Sequence, residues 1–547
     1  MALFTPPVNG QTLVIENKKI DIFPKDTVQA YYAFSNNDAS EKNIYAHVKN
    51  IHDAEIDFSG ANLAFHGRIT PFILDECENV TIKNLTIDYA RTFYTQGKVV
   101  FSDRASVVLD ISSAYPYRLE DGNLIMEGEH WENDLHDGIM LFQEFDRETK
   151  SPAYNSPVLV CRVGRGVEND PTAPLPMHLL GCEITSEGFL KLTGDIPCTY
   201  TPGNILVMTH EKRENPAFGI HKCKNVRLEN IKILHAGSMG IIAQLSKDIS
   251  LHRVVIKTED ENRIVSVNCD ASHFTACEGE ISITDCVFDS MMDDGVNVHG
   301  AYTRVLSKDC DTCETEIMHF QQFGVLFYRP GDTVAMLDKR TGRIRAHLTV
   351  SEARLISQSV IRVRFNEPLD LMEEDDFLEN LTLTPKVHIN GLKTGKNRPR
   401  GVLATTPQCV LIENCTFESS GFGIHIAGDT CFWYESGAVK DMTIRNNRFI
   451  NCGRNMGDFA IAVTPEYEAA RSGETFHKNI RIENNTFEGF LDGAVYAKGV
   501  DGLFIKENTI IKTCDYPKRG KTKPVVWDTC KNVSSDIDAE EGTGPFV

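Results

Sequence analysis

Residues Lys478–Phe487 read KNIRIENNTF, and Asp501–Ile510 read DGLFIKENTI. Each phrase is a polar pair, a run in which apolar and polar residues alternate, a bend of one or two residues that is often Asn, and a second short apolar run. Alternation with a period of two marks a strand that buries one face. The same phrase recurs as ENVTIKNLTIDY at Glu78–Tyr89, KNVRLENIKIL at Lys224–Leu234, KDISLHRVVI at Lys247–Ile256 and GEISITDCVF at Gly279–Phe288. It returns as CVLIENCTFE at Cys409–Glu418 and KDMTIRNNRF at Lys440–Phe449. Val226 to Ile249 is 23 residues, Ile480 to Leu503 is again 23, and Val410 to Met442 is 32, one such turn plus a loop. Repeats of this length, with β alternation and Asn at the corners, predict a right-handed parallel β-helix. Its coils stack about 4.8 Å apart around a continuous apolar column. A β-sandwich also has many short strands, but it does not repeat one phrase in register.

Two stretches break the rhythm. KVVF, SVVLDI, VLVCRV, FLKLTG and NILVMTH lie in the first, and FGVLFY, DTVAML, HLTVSEARLI and IRVRFN in the second. Their turn spacing resembles antiparallel barrels or sandwiches, so both are read as β domains inserted into loops of the solenoid. The expected division is 1–90 as the first part of the β-helix, 91–215 as the first inserted barrel, and 216–301 as central β-helix. Residues 302–400 form the second inserted barrel, and 401–547 the last part of the β-helix with its tail. The class is all-β. The polar tail after Cys514 is expected to cover the last coil or to fray.

The 547 residues carry a net charge of −21, and that field disfavours nucleic acid, anionic membranes and polyanionic substrates. A neutral substrate fits best. No apolar run reaches the roughly 18 residues of a membrane span. The opening MALFTPPVNG has neither a basic n-region nor an apolar h-region. The expected location is therefore the cytoplasm, or outside the cell with a leader already removed. The 16 cysteines are expected to be reduced and mostly buried.

The sharpest local feature is Asp293-Asp294 in SMMDDGVNVHG, with Asp270 in SVNCDASHF 23 residues before Asp293. One solenoid turn places Asp270 a coil below the pair, and Gly295 permits the bend that brings both neighbouring carboxylates to one groove. A plain DDG turn is the bland alternative. Three crowded carboxylates raise at least one pKa by repulsion, and a protonated acid beside an ionised base is what glycoside hydrolysis requires.

From Val267 to Val305 the chain resembles the core motif of glycoside hydrolase family 110, whose members are α-1,3-galactosidases, some acting on the blood-group B galactose. Other family-like stretches are AFSNND at Ala33–Asp38, FHGR at Phe65–Arg68, GSMGIIAQLS at Gly237–Ser246, RPGDTV at Arg329–Val334, RGVLATTP at Arg400–Pro407 and the phrase Ala427–Phe449. The resemblance implies a β-helix with two inserted barrels. It also implies an exo-acting, inverting hydrolase of terminal α-1,3-linked galactose, whose partner is a terminal α-galactoside glycan. By analogy with the acidic trio of polygalacturonase-type β-helices, Asp293 is the expected acid, while Asp270 and Asp294 deprotonate water. The chain departs from the family at Cys269, Ala271 and Ser272, where members commonly read Ala-Asp-Gly-Met-His-Phe, and at Cys431-Phe432.

Substrate-binding candidates are His273 and His299 beside the trio, His66 and Arg68 in FHGR, and Asp429, Trp433 and Glu435 in the late family phrase. An aromatic ring such as Trp433 can stack on the apolar face of galactose, with core packing as the alternative. Loop capping is the alternative for Asp429 and Glu435. Cys269, His273 and Cys277 match no known zinc spacing, and Cys310-x-x-Cys313 lacks a second pair. No metal or other cofactor is expected, and the partner reading admits a homodimer. The competing functions are a β-helix glycosidase of another terminal-sugar specificity, a lyase, and a non-catalytic glycan-binding solenoid.

Overall fold

The computed structural model describes residues 4–543 apart from 17, 136, 137, 139, 169–175, 211–212, 468–473 and 518–519. Strands pair in parallel where the spacing predicts: Val226 over Ile249, Val410 over Met442 and Ile480 over Leu503. Those residues join Val80, Ile281 and Val387 in one buried column. Phe417, Phe449 and Phe487 stack beside it, with ring centroids 5.1 and 4.9 Å apart. At the corners Asn79, Asn84, Asn225, Asn230, Asn446 and Asn484 take positive φ, which Asn tolerates better than most residues. Their side chains bond coil to coil, as in Asn225 Nδ2 to Asn79 Oδ1 at 2.8 Å and Asn484 Nδ2 to Asn446 Oδ1 at 2.6 Å.

A second parallel stack carries the site. Phe218–His221, Ile241–Gln244, Ser272–Thr275, the start of Val296–Asp309, Arg400–Ala404 and Phe422–Ile426 follow one another coil by coil. The tail extends the helix by another coil instead of fraying. Val525 pairs with Val495, and Val533 with Leu503. This coil escapes sequence reading because a terminal turn needs apolar residues only on the side that meets its neighbour.

Seven strands between Tyr94–Ser102 and Ile205–Thr209 close into a barrel. One of its pairings, Leu159–Val163 with Met177–Ile184, is parallel, a departure from the antiparallel expectation. The connection from Val163 to Met177 is long enough for the crossover that parallel strands need. In the second interruption, Val296–Asp309 runs straight out of the solenoid and pairs with Thr312–Ile317 and Phe377–Asn380. The ring closes through Val360–Phe365, Ile344–Leu355 and Thr333–Leu337 around a core of its own. Among the described residues there is no α-helix, only short 3-10 turns at Pro24–Asp26 and Phe320–Gln322. No disulfide joins any of the 16 cysteines.

Candidate active site

Asp270 ends a loop just before the strand Ser272–Thr275, and Asp293 and Asp294 end the next coil just before Val296. Ser272 pairs with Val296, so this turn is 24 residues long and Asp270 lies one coil from the pair, directly over Asp294. The Ala271 N–H donates to the Asp294 carbonyl at 2.8 Å, and the Asp294 N–H donates to Asp270 Oδ1 at 3.2 Å. Asp293 completes a trio in which one carboxylate oxygen from each residue lies within 4.8 Å of the other two. Gly295 is needed for close approach rather than for a left-handed bend. A Cβ there would lie 2.4 Å from the Gly401 carbonyl oxygen.

Three guanidinium groups meet the trio. Arg213 Nη2 donates to Asp293 Oδ2 at 3.0 Å, Arg398 Nη2 to Asp293 Oδ1 at 3.4 Å, and Arg400 Nη2 to Asp294 Oδ2 at 2.6 Å. Arg213 follows the first inserted barrel and Arg398 and Arg400 the second, so both insertions return basic residues to one point. Arg398, Arg213 and Arg400 hold Asp293 below the usual carboxylate range against the cost of burial. Asp270 is pushed up to about 8, first by burial and then by repulsion from Asp293. Burial raises Asp294 as well, against the pull of Arg400. The directions favour a proton on Asp270 or Asp294 over one on Asp293, the reverse of the order that an acid role for Asp293 requires. Asp293 is nevertheless the most accessible of the three, with 16 % of its side chain exposed against 4 % for Asp270 and 1 % for Asp294. Three acidic side chains at this spacing meet the bare requirement for a cation, but the guanidinium groups already supply the countercharge.

Phe274 and Val298 face the core, so His273 and His299 point to the outer face of the sheet. His273 Nδ1 lies 2.6 Å from Asp270 Oδ2, and its Nε2 lies 2.9 Å from His299 Nε2. Both rings are buried, because three separate segments wall the groove. Asn36, from the family-like AFSNND stretch, donates to Glu435 Oε1 at 2.8 Å, and Gln321 donates to Asp38 at 2.9 Å. Gln322 donates to the Trp433 carbonyl at 3.0 Å. Glu435 itself stands on the two-residue strand Glu435–Ser436, antiparallel to Gly300-Ala301.

The structure thus gathers Asp270, Asp293, Asp294, His273, His299, Trp433 and Glu435. The Trp433 ring lies 5.9 Å from the Arg213 guanidinium and 4.5 Å from the His319 ring. Asp429 is spent on its own loop, accepting from the N–H groups of Cys431, Phe432 and Trp433. His66 and Arg68 stand apart from the trio. Phe72 pairs with Phe218, Phe218 with Ile241, and Ile241 with Ser272, so they sit three coils away, about 14 Å at the usual strand spacing. There His66 meets Glu129 and Asp21, and Arg68 meets Asn133 and the Trp131 ring. Sequence reading missed Arg213, Arg398, Arg400, Asn36 and His319. Arg400 and Asn36 lay within family-like stretches; the other three carried no local signal.

Residues 95–206 and 312–377 match the families described as GLAA-B beta-barrel domain I and GLAA-B beta-barrel domain II. Residues 400–533 match the right handed beta helix region, and residues 184–315, which include the trio, match glycosyl hydrolases family 28. Alpha-1,3-galactosidase A of Shewanella woodyi is 33 % identical over 525 residues, covering 93 % of this chain and 82 % of its own. Alpha-1,3-galactosidase B of Bacteroides thetaiotaomicron is 31 % identical over 544 residues, covering 97 % and 86 %. Among solved structures, the A-module of the mannuronan C-5 epimerase AlgE4 of Azotobacter vinelandii aligns with a TM-score of 0.37 at 10 % identity, covering 98 % of this chain and 91 % of its own. Identity at this level over nearly the whole chain decides the matter: the chain is a glycoside hydrolase and belongs to the alpha-1,3-galactosidase family, glycoside hydrolase family 110.

Proposed function

We propose that this protein is an exo-acting, inverting hydrolase that releases terminal α-1,3-linked galactose. The observation that carries the reading is the cluster of Asp270, Asp293 and Asp294 across one solenoid turn, met by three arginines. The walls supplied by Asn36, the Phe320–Gln322 turn and the Asp429–Glu435 loop favour a pocket for a chain end over an open groove. Arg213 and Arg398 present donors suited to sugar hydroxyls, and Trp433 offers a ring for the apolar face of galactose.

In this reading Asp293, the most exposed of the trio, protonates the glycosidic oxygen. Sugar hydroxyls draw Arg213 and Arg398 off its carboxylate, and Asp293 takes a proton from Asp294. Asp294 is left ionised beside Arg400. Asp270 and Asp294 then hold and deprotonate the attacking water.

The test is a screen of α-1,3-, α-1,4- and α-1,6-linked terminal galactosides, with and without a neighbouring fucose. The expected result is free galactose from the α-1,3 linkage, lost in Asp293→Asn. Absence of release from any α-1,3-galactoside, or cleavage within the glycan chain, would count against the proposal.

A further inference from the structure

His273 and His299 carry information that the trio alone does not use. His299 Nδ1 lies 2.6 Å from the Gly300 carbonyl oxygen. A carbonyl only accepts, so this nitrogen carries a proton. The 2.9 Å contact between His273 Nε2 and His299 Nε2 must hold exactly one proton as well, since two facing lone pairs at that distance repel. The 2.6 Å contact between His273 Nδ1 and Asp270 Oδ2 needs a third. With all three in place, an ionised Asp270 always comes with one imidazolium. Beyond His299 lies Glu435, whose Oε1 is 3.5 Å from His299 Nε2.

We propose that His273 and His299 form a buried proton wire leading from Asp270 to His299, and that Glu435, the counter-ion beside His299, is a positioning residue for the charge state of the base. The step is balanced. The O–H bond at Asp270 and the N–H bond at His273 Nε2 break, and N–H bonds form at His273 Nδ1 and His299 Nε2. Asp270 becomes a carboxylate and His299 an imidazolium against Glu435, with no proton gained from or lost to solvent. The water then gives its proton to Asp270.

The surrounding charges agree with this direction. Burial and Asp293 oppose ionisation of Asp270, while Arg213, Arg400 and the Asp294 N–H favour it. Burial lowers both histidines, and Glu435 is the main opposing influence on each. On its other sides Glu435 faces the Asn36 amide and the field of Arg400, with His319, Asp429 and Glu466 nearby. The His299, His273 and Arg400 charges and the Asn36 donor keep Glu435 below its ordinary value despite burial.

This inference rests on the hydrolase reading, and its test separates the two. In Glu435→Gln, an imidazolium at His299 loses its counter-ion, so Asp270 keeps its proton to higher pH. The ascending limb of kcat/KM is expected to move up by about one pH unit, a roughly tenfold loss at the acid end that fades toward alkaline pH. Glu435→Asp should restore most of the limb. A uniform loss at all pH values, as from a lost sugar contact, would overturn the wire. Ring-nitrogen NMR of 15N-histidine in the substrate-free protein, with His299→Gln to assign the signals, gives an activity-independent readout. His299 should titrate at lower pH in Glu435→Gln, and an unchanged titration would sink the proposal. If no galactoside is cleaved, the NMR arm still decides.

Discussion

Three carboxylates that each bring one oxygen within 4.8 Å of the others repel one another's charge, and the arginines and histidines around them decide where the protons sit. Because the proposed acid differs from the proposed bases only in its task, leaving-group chemistry separates them. Asp293→Asn should lose about 10²–10⁴-fold on an unactivated α-1,3-galactoside but much less on an aryl galactoside whose leaving group needs no proton. Asp270→Asn and Asp294→Asn should lose activity on both. Rescue of Asp294→Asn by the aryl substrate would exchange the roles. Asp270 also makes a stability prediction. Its folded pKa of about 8 exceeds the unfolded value near 3.9, so the native state binds the proton more tightly. That stabilisation is full below about pH 4 and is lost as pH rises through about 8. Asp270→Asn, which cannot ionise, should therefore gain Tm over the wild type as pH rises through this window. A Tm difference independent of pH would contradict the shift.

At the scale of elements, the loop from Gly428 to Ser436 links one capping carboxylate to two functional side chains. Asp429 accepts from three successive backbone N–H groups, and the loop so fixed presents Trp433 toward Arg213 and Glu435 toward His299. Asp429→Ala should lower kcat/KM at least tenfold while changing unfolding free energy by only about 1–3 kcal/mol, the cost of a lost buried acceptor. Activity within twofold of wild type would show that the loop holds itself. The solenoid strands were legible in sequence because Val226, Ile249, Ile480 and Leu503 repeat at the coil period, and their pairings follow it. The site was half legible. Asp270, Asp293, Asp294, His273 and His299 sit within two coils of one another. Arg213 and Asn36 reach the groove only through folding, across sequence separations that no local period encodes. His66 and Arg68 lie three coils from the trio, because a motif-like phrase fixes a residue's coil but not its distance from coils beyond it.

For the whole molecule, the two inserted barrels add walls and charge to one turn of a solenoid that by itself presents only an open sheet face. The second barrel places Gln322 against Trp433, and the chain leaving each barrel delivers arginine to the trio. The net charge of −21 belongs mainly to solvated surface, and the proposed substrate is neutral. Accordingly kcat/KM on an uncharged α-1,3-galactoside should vary less than about twofold between roughly 50 and 500 mM salt, because no long-range steering is at work. A steep salt dependence would point to a charged natural substrate. The most direct test of the central claim is the anomer released first. When Galα1-3Gal is hydrolysed in an NMR tube, β-galactose should appear before mutarotation supplies the α form, as expected if Asp270 and Asp294 direct water to the face opposite Asp293. If α-galactose appears first, the trio works through a covalent intermediate and the inverting mechanism proposed here is wrong.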